Sequence, residues 1–149
     1  MNRVIIALAI SLLAAGSARA TDKTDIMAVL QQWNDADEAK SVATCADDAT
    51  VIDDVPPFEW HGAGACSRWQ KDYDGYAQKE DIKDAVGTIG RPRRLIVVGD
   101  RAYAVVPTTF AYTRKGKHET QTATATFVLR KTAAGWRITA WTWATQSLK

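Results

Sequence analysis

The stretch Ala46-Asp47-Asp48-Ala49-Thr50-Val51-Ile52-Asp53 decides the fold of this chain. Its acidic start is typical of a helix end or turn, and the β-branched run that follows predicts a strand over residues 49–53. Pro56-Pro57 then requires a turn, so residues 58–61 are expected to return antiparallel to the first strand. The sequence therefore predicts a β-hairpin with Asp53 at the end of its first strand.

The predicted hairpin brings the two cysteines of the chain into one neighbourhood. A turn centred between residues 55 and 56 gives three strand pairs: Thr50 with His61, Val51 with Trp60, and Asp53 with Phe58. The same register, extended, places Cys45 opposite Cys66. In an oxidising compartment this geometry predicts a disulfide, and the alternative is a pair of small, buried free thiols.

Helical periodicity occurs three times in the chain. Thr24 or Asp25 is the predicted N-cap of a first helix, whose apolar residues recur at helical spacing: Ile26, Val29, Leu30 and Trp33. A second, short helix is predicted from Glu38 to about Cys45. A third follows Gly64, and its aromatic stripe is Trp69, Tyr73 and Tyr76.

From Ile82 onward strand patterns alternate with turns, which predicts an antiparallel meander. A loop at residues 132–135 makes Leu129 face Ile138, so that one face of the sheet carries Ala123, Ala125, Phe127 and Leu129. In that register Trp141 and Trp143 lie on the other, outer face. Exposed paired indoles are typical of a partner surface, so we expect a homodimer through the outer sheet face.

The first twenty residues have the features of a signal peptide. Arg3 stands near the start, residues 4–15 are apolar, and Ala18-Arg19-Ala20 fits a cleavage site. The apolar run is shorter than the roughly 20 residues of a membrane-spanning helix. We therefore expect residues 1–20 to be removed, leaving a single domain over residues 21–149 that is periplasmic or secreted and has no membrane attachment. The alternative is an uncleaved anchor.

Cleavage would leave a mature domain without net charge. The full chain has 19 Lys and Arg residues and 17 Asp and Glu residues, and the first twenty residues contain two of the basic ones, Arg3 and Arg19, and no acid. The short basic cluster at Arg91, Arg93 and Arg94 is typical of a solvated strand edge. The sequence therefore predicts no nucleic-acid partner.

Two segments together resemble a known superfamily. Residues 46–53 and the closing Gly135-Trp136-Arg137-Ile138-Thr139-Ala140-Trp141 are similar to segments of the small cone-shaped family that includes ketosteroid isomerases, SnoaL-like polyketide cyclases and nuclear-transport-factor-like ligand binders. The resemblance implies an α+β fold in which three N-terminal helices pack on a strongly curved antiparallel sheet, forming a cone with an internal pocket. This fold hosts many functions, so it implies no particular substrate.

The same resemblance makes Asp53 the best catalytic candidate. It matches the aspartate that moves the substrate proton in ketosteroid isomerases, although an aspartate here also fits the start of a turn. The two hydrogen-bond donors of those isomerases have no counterpart, because Trp33 stands at the place of the tyrosine and Ala125 at that of the aspartic acid. Losing both donors argues against steroid isomerisation itself.

His61 is the second titratable candidate. It could form an acid/base pair with Asp53, and the alternative is a partly exposed histidine at a strand end. The nearby acids and His61 have neither the spacing of a calcium loop nor the paired histidines of a zinc site. No metal and no cofactor is therefore predicted.

Taken together, these patterns favour an exported protein that binds a small hydrophobic molecule. The predicted pocket walls are Trp33, Trp60, Trp69, Tyr73, Phe110 and Phe127. As an enzyme it would catalyse cofactor-free proton transfer on a carbonyl compound, as an isomerase, cyclase or dehydratase does, with Asp53 as base. The alternatives are a binding module that uses the same pocket without turnover, and a dimeric interaction protein centred on Trp141 and Trp143.

Overall fold

Seven strands and three helices make up the part of the chain that the computed structural model describes, which is residues 11–148, with side chains for residues 21–147. The elements, in chain order, are α1 (Ser11–Trp33), α2 (Glu38–Val42), β1 (Cys45–Ile52), β2 (Glu59–His61), α3 (Ala65–Lys79), β3 (Ile82–Ile89), β4 (Arg94–Val98), β5 (Arg101–Arg114), β6 (Lys117–Thr132) and β7 (Gly135–Leu148). Three helices on a curved sheet confirm the predicted α+β class.

The strands form a single sheet with the order β2-β1-β7-β6-β5-β3, and β4 also pairs with β5. All neighbours run antiparallel except β1 and β7, which are parallel. The sheet is therefore mixed, where the sequence predicted a purely antiparallel one. The parallel pair joins the first strand to the last and places the end of β1 beside the middle of β7.

The predicted β1–β2 hairpin is confirmed in its register. Thr50 pairs with His61 and Val51 with Trp60, and the Asp53 N–H donates to the Phe58 carbonyl at 3.0 Å. The predicted disulfide is also present: Cys45, which opens β1, is bonded to Cys66 in the first turn of α3. The hairpin and the third helix are thus covalently joined at the base of β1.

The core lies between the helices and the concave face of the sheet. Ala123, Ala125, Phe127 and Leu129 share one face of β6, as predicted, and all are buried. Ile26 and Leu30 of α1 are fully buried against this face. Burying each such side chain stabilises the fold by about 1.5–3 kcal/mol.

The predicted outward orientation of Trp141 and Trp143 is wrong, because β7 contains a bulge. Leu129 pairs with Ile138 as expected, but Val128 pairs with Ala140, which leaves Thr139 as an extra residue. One extra residue moves every later side chain of a strand to the opposite face. Trp141 is consequently only 1% exposed, and Trp143 packs partly buried against the core. Neither indole is available to an outer-face dimer interface.

The helix boundaries differ from the expected ones at two places. The first helix is continuous from Ser11, so it does not begin at the N-cap predicted near Thr24. The second helix ends at Val42, because Cys45 already belongs to β1. The predicted signal peptide, residues 1–20, lies outside the residues whose side chains are described, and its first ten residues lie outside the described backbone as well. It therefore stays a prediction. Within residues 11–148, no helix has the length and apolarity of a membrane span.

Candidate active site

A cavity of about 630 Å³ lies between the helices and the concave sheet face. Its helix side carries Trp33, Trp69, Tyr73 and Tyr76, and its sheet side carries Phe110, Tyr112, Trp141 and Trp143. The volume is in the range of small-molecule sites, which are typically apolar clefts with a few polar groups. Two of its polar regions, one around Asp53 and one around Arg114, are called here the two ends of the cavity; other polar residues of the lining include Asn34, Glu38 and Ser41.

Asp53 is the half-buried carboxyl at the first end. It lies just past β1, in the turn before β2, and its Oδ2 accepts a hydrogen bond from Trp69 Nε1 at 2.6 Å. Its Oδ1 accepts from the backbone N–H of Asp54 at 2.7 Å. Burial raises the pKa of Asp53 to about 7, although the Trp69 hydrogen bond lowers it, and the charge of Asp54 adds to the rise. A carboxyl with this pKa can accept or release a proton near neutral pH.

Asp54, the neighbouring carboxylate, has different surroundings. It is exposed, and its Oδ2 accepts from Gln121 Nε2 at 3.1 Å and from the hydroxyl of Thr145. These donors belong to β6 and β7, so Asp54 ties the turn after β1 to the two strands that follow β1 in the sheet order. In many active sites two neighbouring carboxyls in different environments take different roles, one as the acid or base and the other as a fixed negative charge.

Two donors close to Asp53 have no partner. The Tyr73 hydroxyl and Trp141 Nε1 are both buried and make no hydrogen bond with any described residue. Burial raises the pKa of Tyr73 to about 12, and the negative charge of Asp53 contributes to the rise. Trp141 packs edge-on against Trp69, with ring centroids 4.7 Å apart. A buried donor without a partner costs about 1–3 kcal/mol, and a ligand acceptor that reached either group would remove that cost.

The second polar end is formed by Arg114 at the end of β5. Its guanidinium lies over the Tyr112 ring at 5.2 Å, and Nη2 donates to the Tyr112 hydroxyl at 3.0 Å. Glu119 is the counter-ion, with 3.6 Å between Arg114 Nε and Glu119 Oε2. Both of these atoms are buried and neither makes a hydrogen bond with a described residue.

The structure places four of the six predicted pocket walls at the cavity: Trp33, Trp69, Tyr73 and Phe110. Trp60 is not a wall, because it is buried beneath the sheet edge and donates to Asp72 at 2.8 Å. Phe127 is not a wall either, because it is fully buried behind Trp33, at 4.9 Å between ring centroids. Ligand binding by the other four stays a prediction.

His61 and Asp53 do not form the predicted pair. Alternation along β2 buries Trp60 and turns His61 outward, so its side chain is 56% exposed. Its ring lies 3.3 Å from the Thr50 hydroxyl and 3.2 Å from Glu59. The expectation that His61 assists Asp53 is therefore wrong, and Trp69 is the side chain that contacts Asp53.

Several cavity residues escaped the sequence reading. Trp141 and Trp143 were assigned to the wrong face, and Tyr112 and Arg114 were not considered. The spacing of Phe110, Tyr112 and Arg114 at every second position of a strand does contain the signal, because such residues share one face. Once Phe110 was expected in the pocket, the other two could have been placed there too.

Neither cavity end has a metal-ligand set. Among the described residues, no three His, Cys, Asp or Glu side chains converge as they would around a metal ion. The chemistry available to the site from its own residues is proton transfer at Asp53, with Tyr73 and Trp141 as hydrogen-bond donors nearby.

Solved structures share this fold at low sequence identity. An NTF2-like protein with a cystatin-like fold from Novosphingobium aromaticivorans is 16% identical, with 93% of this chain and 91% of that one covered and a TM-score of 0.74. The hexachlorocyclohexane dehydrochlorinase LinA type 2 is 13% identical, with 93% and 92% covered and a TM-score of 0.69. A ketosteroid isomerase-like protein from Erwinia carotovora atroseptica is 20% identical, with 86% and 95% covered and a TM-score of 0.63.

These structural likenesses show the fold alone. No curated protein sequence matches the chain. The model of the SnoaL-like domain family, however, matches residues 26–143, which include both ends of the cavity. Because that match covers most of the chain, this protein belongs to the SnoaL-like domain family.

Proposed function

We propose that this protein binds a small hydrophobic carbonyl compound in its cavity and transfers a proton from the carbon next to the carbonyl, with Asp53 as the base. The observation that carries the proposal is the half-buried Asp53 carboxyl among aromatic side chains, with a pKa of about 7. An ordinary aspartate has a pKa near 4 and is a weak base at neutral pH. Desolvation makes Asp53 a stronger base while leaving it partly ionised at pH 7.

The hydrogen-bond donors near Asp53 support the same chemistry. Removing a proton next to a carbonyl places negative charge on the carbonyl oxygen, and donors at that oxygen lower the barrier. Tyr73 and Trp141 each offer such a donor, and neither donor has a competing partner among the residues that the structure describes. In this proposal Tyr73 and Trp141 donate hydrogen bonds to the carbonyl oxygen. Ketosteroid isomerases use a tyrosine and an aspartic acid for this, and Trp33 and Ala125 stand at those two places here.

The second candidate function is ligand binding without turnover. The same cavity and the same aromatic walls support it, and Asp53 would then only orient the ligand. The two functions differ in one measurable respect, since a binder does not accelerate loss of the substrate proton.

Deuterium exchange into 2-tetralone, a bicyclic ketone with acidic C–H bonds, tests the proposal. We expect the protein to accelerate exchange in D₂O and Asp53→Asn to reduce that acceleration by about 10²–10⁴-fold, the usual contribution of a general base. Asp48→Asn is the matched control, because Asp48 is an exposed acid of β1, the strand that precedes Asp53. Equal exchange rates in the Asp53→Asn variant and the unaltered protein would refute a base role for Asp53.

We further propose that the protein is exported and acts as a periplasmic or secreted homodimer. The disulfide is compatible with an oxidising compartment.

The proposed dimer interface lies on the outer face of the sheet. Across three adjacent strands of this face, Ile96 pairs with Tyr103 and Tyr103 with Val128, and all three side chains are exposed. This apolar row replaces Trp141 and Trp143 in the proposed interface. Native mass spectrometry of the exported protein should show a dimer starting at Thr21, and Tyr103→Lys should give a monomer; a dimer that persists in this variant would exclude this face.

A further inference from the structure

The end of the cavity remote from Asp53 contains an arginine with unused hydrogen-bond donors. Arg114 Nη2 donates to Tyr112, and Nε is buried without a hydrogen bond to any described residue. Glu119 lies 3.6 Å from Nε, close enough to balance the charge but beyond a good hydrogen bond. A guanidinium has five N–H donors and no acceptor, so only an acceptor group can use the remaining ones.

A continuous aromatic wall joins the two ends. Trp69, which holds Asp53, stacks on Tyr73 at 5.8 Å between centroids. Tyr73 contacts Phe110 at 6.3 Å, and Phe110 contacts Tyr112 at 5.2 Å, under the Arg114 guanidinium. A flat apolar molecule lying along this wall would place one end at Asp53 and the other at Arg114.

Charge sets the direction in which such a molecule lies. Arg114 is the only basic residue among the described residues that line the cavity, whereas its acids are Asp35, Glu38, Asp53 and Asp54. A negative group on the ligand would be repelled by Asp53 and Asp54 at one end, whereas Arg114, whose charge Glu119 balances, can still donate hydrogen bonds to that group at the other. The planar fork of an arginine matches a carboxylate in particular, because the two groups can form parallel hydrogen bonds.

We propose that Arg114 is an anion-recognition residue, and that the substrate is an elongated apolar carbonyl compound with a carboxylate at the end remote from the reacting carbon. This inference deepens the proposed function and rests on it for the reacting end only. The carboxylate at Arg114 would fix the position of the substrate along the aromatic wall. The carbon to be deprotonated would then meet Asp53 in one orientation rather than two.

Calorimetric titration with two matched probes tests the inference. 2-Naphthoate and 2-naphthamide have the same bicyclic body and nearly the same shape, and only the naphthoate is charged. At pH 8 we expect naphthoate to bind at least tenfold more tightly. Arg114→Gln should weaken naphthoate by about 10–100-fold, the usual range for hydrogen bonds to a charged group, and leave naphthamide within about threefold.

Three variants keep the test decisive. Arg130→Gln is the matched control, because Arg130 pairs with Asp48 away from the cavity lining. Arg114→Gln leaves Glu119 without its counter-ion, so the double variant Arg114→Gln/Glu119→Gln removes both charges. The double variant should bind the two probes with equal affinity, and its circular dichroism spectrum should match that of the unaltered protein. Asp53→Asn removes a negative charge from the cavity and should strengthen naphthoate by less than about tenfold, because the carboxylate lies at the other end.

Four outcomes would overturn the inference. Equal affinity of the unaltered protein for the two probes would show that the cavity does not recognise an anion. Equal weakening of both probes by Arg114→Gln would show that Arg114 only shapes the cavity. A gain of more than tenfold for naphthoate in Asp53→Asn would place the carboxylate beside Asp53. Failure of both probes to bind would overturn the inference and leave the proposed function to the exchange assay with 2-tetralone. A naphthoate preference together with unchanged tetralone exchange in Asp53→Asn would refute catalysis by Asp53 but not the inference about Arg114.

Discussion

Replacing Trp69 by phenylalanine should raise the proton affinity of Asp53. The variant removes the Nε1–H donor that lies 2.6 Å from Asp53 Oδ2 and keeps an aromatic side chain at position 69. A hydrogen bond to a charged group contributes about 1.5–3 kcal/mol, and one pKa unit corresponds to about 1.4 kcal/mol. Since the protonated carboxyl loses less than the ionised one, we expect the pKa of Asp53 to rise from about 7 by about one unit.

Carbon-13 NMR of protein labelled at the aspartate carboxyls would measure this pKa directly, without a substrate. The same shift should appear in the pH dependence of 2-tetralone exchange, whose rate rises as Asp53 ionises. Trp143→Phe is the control for a general change in the cavity, because Trp143 lines it but makes no hydrogen bond with Asp53. A titration midpoint in Trp69→Phe that is unchanged, or lower than in the unaltered protein, would refute the role assigned to this hydrogen bond.

Three further predictions concern stability. The pKa of Asp53 is higher in the folded chain than its usual 3.8, so the stability that Asp53 contributes at low pH is lost as the pH rises from about 4 to 7. Asp53→Asn should therefore be more stable than the unaltered protein at pH 8 by about 2–4 kcal/mol and equally stable near pH 4. Equal denaturant midpoints of the two proteins at both pH values would contradict this. The double change Cys45→Ser/Cys66→Ser should cost about 3 kcal/mol in urea unfolding, because the disulfide closes a loop between residues 21 positions apart, and an unchanged midpoint would mean that the bond does not constrain the unfolded chain. Phe127→Ala should cost about 3–5 kcal/mol, since this ring is fully buried, and a loss below 1 kcal/mol in thermal unfolding would contradict its place in the core.

The sequence was sufficient for the fold where local rules decide the structure. Pro56-Pro57 and the β-branched run before it set the hairpin register, and that register in turn placed Cys45 near Cys66. Asp53 also lies where the sequence predicted it, at the end of the first strand of the hairpin, just past Ile52. The inward face of β6 followed from simple alternation.

The orientation of Trp141 could not be predicted in the same way. The bulge at Thr139 has no glycine or proline to signal it, and a single extra residue reverses the face of every side chain that follows. Nor does local sequence predict that β7 pairs in parallel with β1, since this contact joins residues about ninety positions apart. The wrong face for Trp141 led to the wrong interface and concealed an unpartnered donor in the cavity.

The bond between Cys45 and Cys66 determines how this protein has to be prepared. Asp53 lies within the loop that the disulfide closes, and Trp69 follows Cys66 by one helical turn, so both partners of the Asp53–Trp69 hydrogen bond are held through this crosslink. A sample made in a reducing cytosol lacks that constraint, and its Asp53 would titrate in a looser, wetter setting, closer to an ordinary aspartate. Oxidation state therefore belongs among the controlled variables of any assay, and a test of the proposed proton transfer has to be made on the oxidised protein.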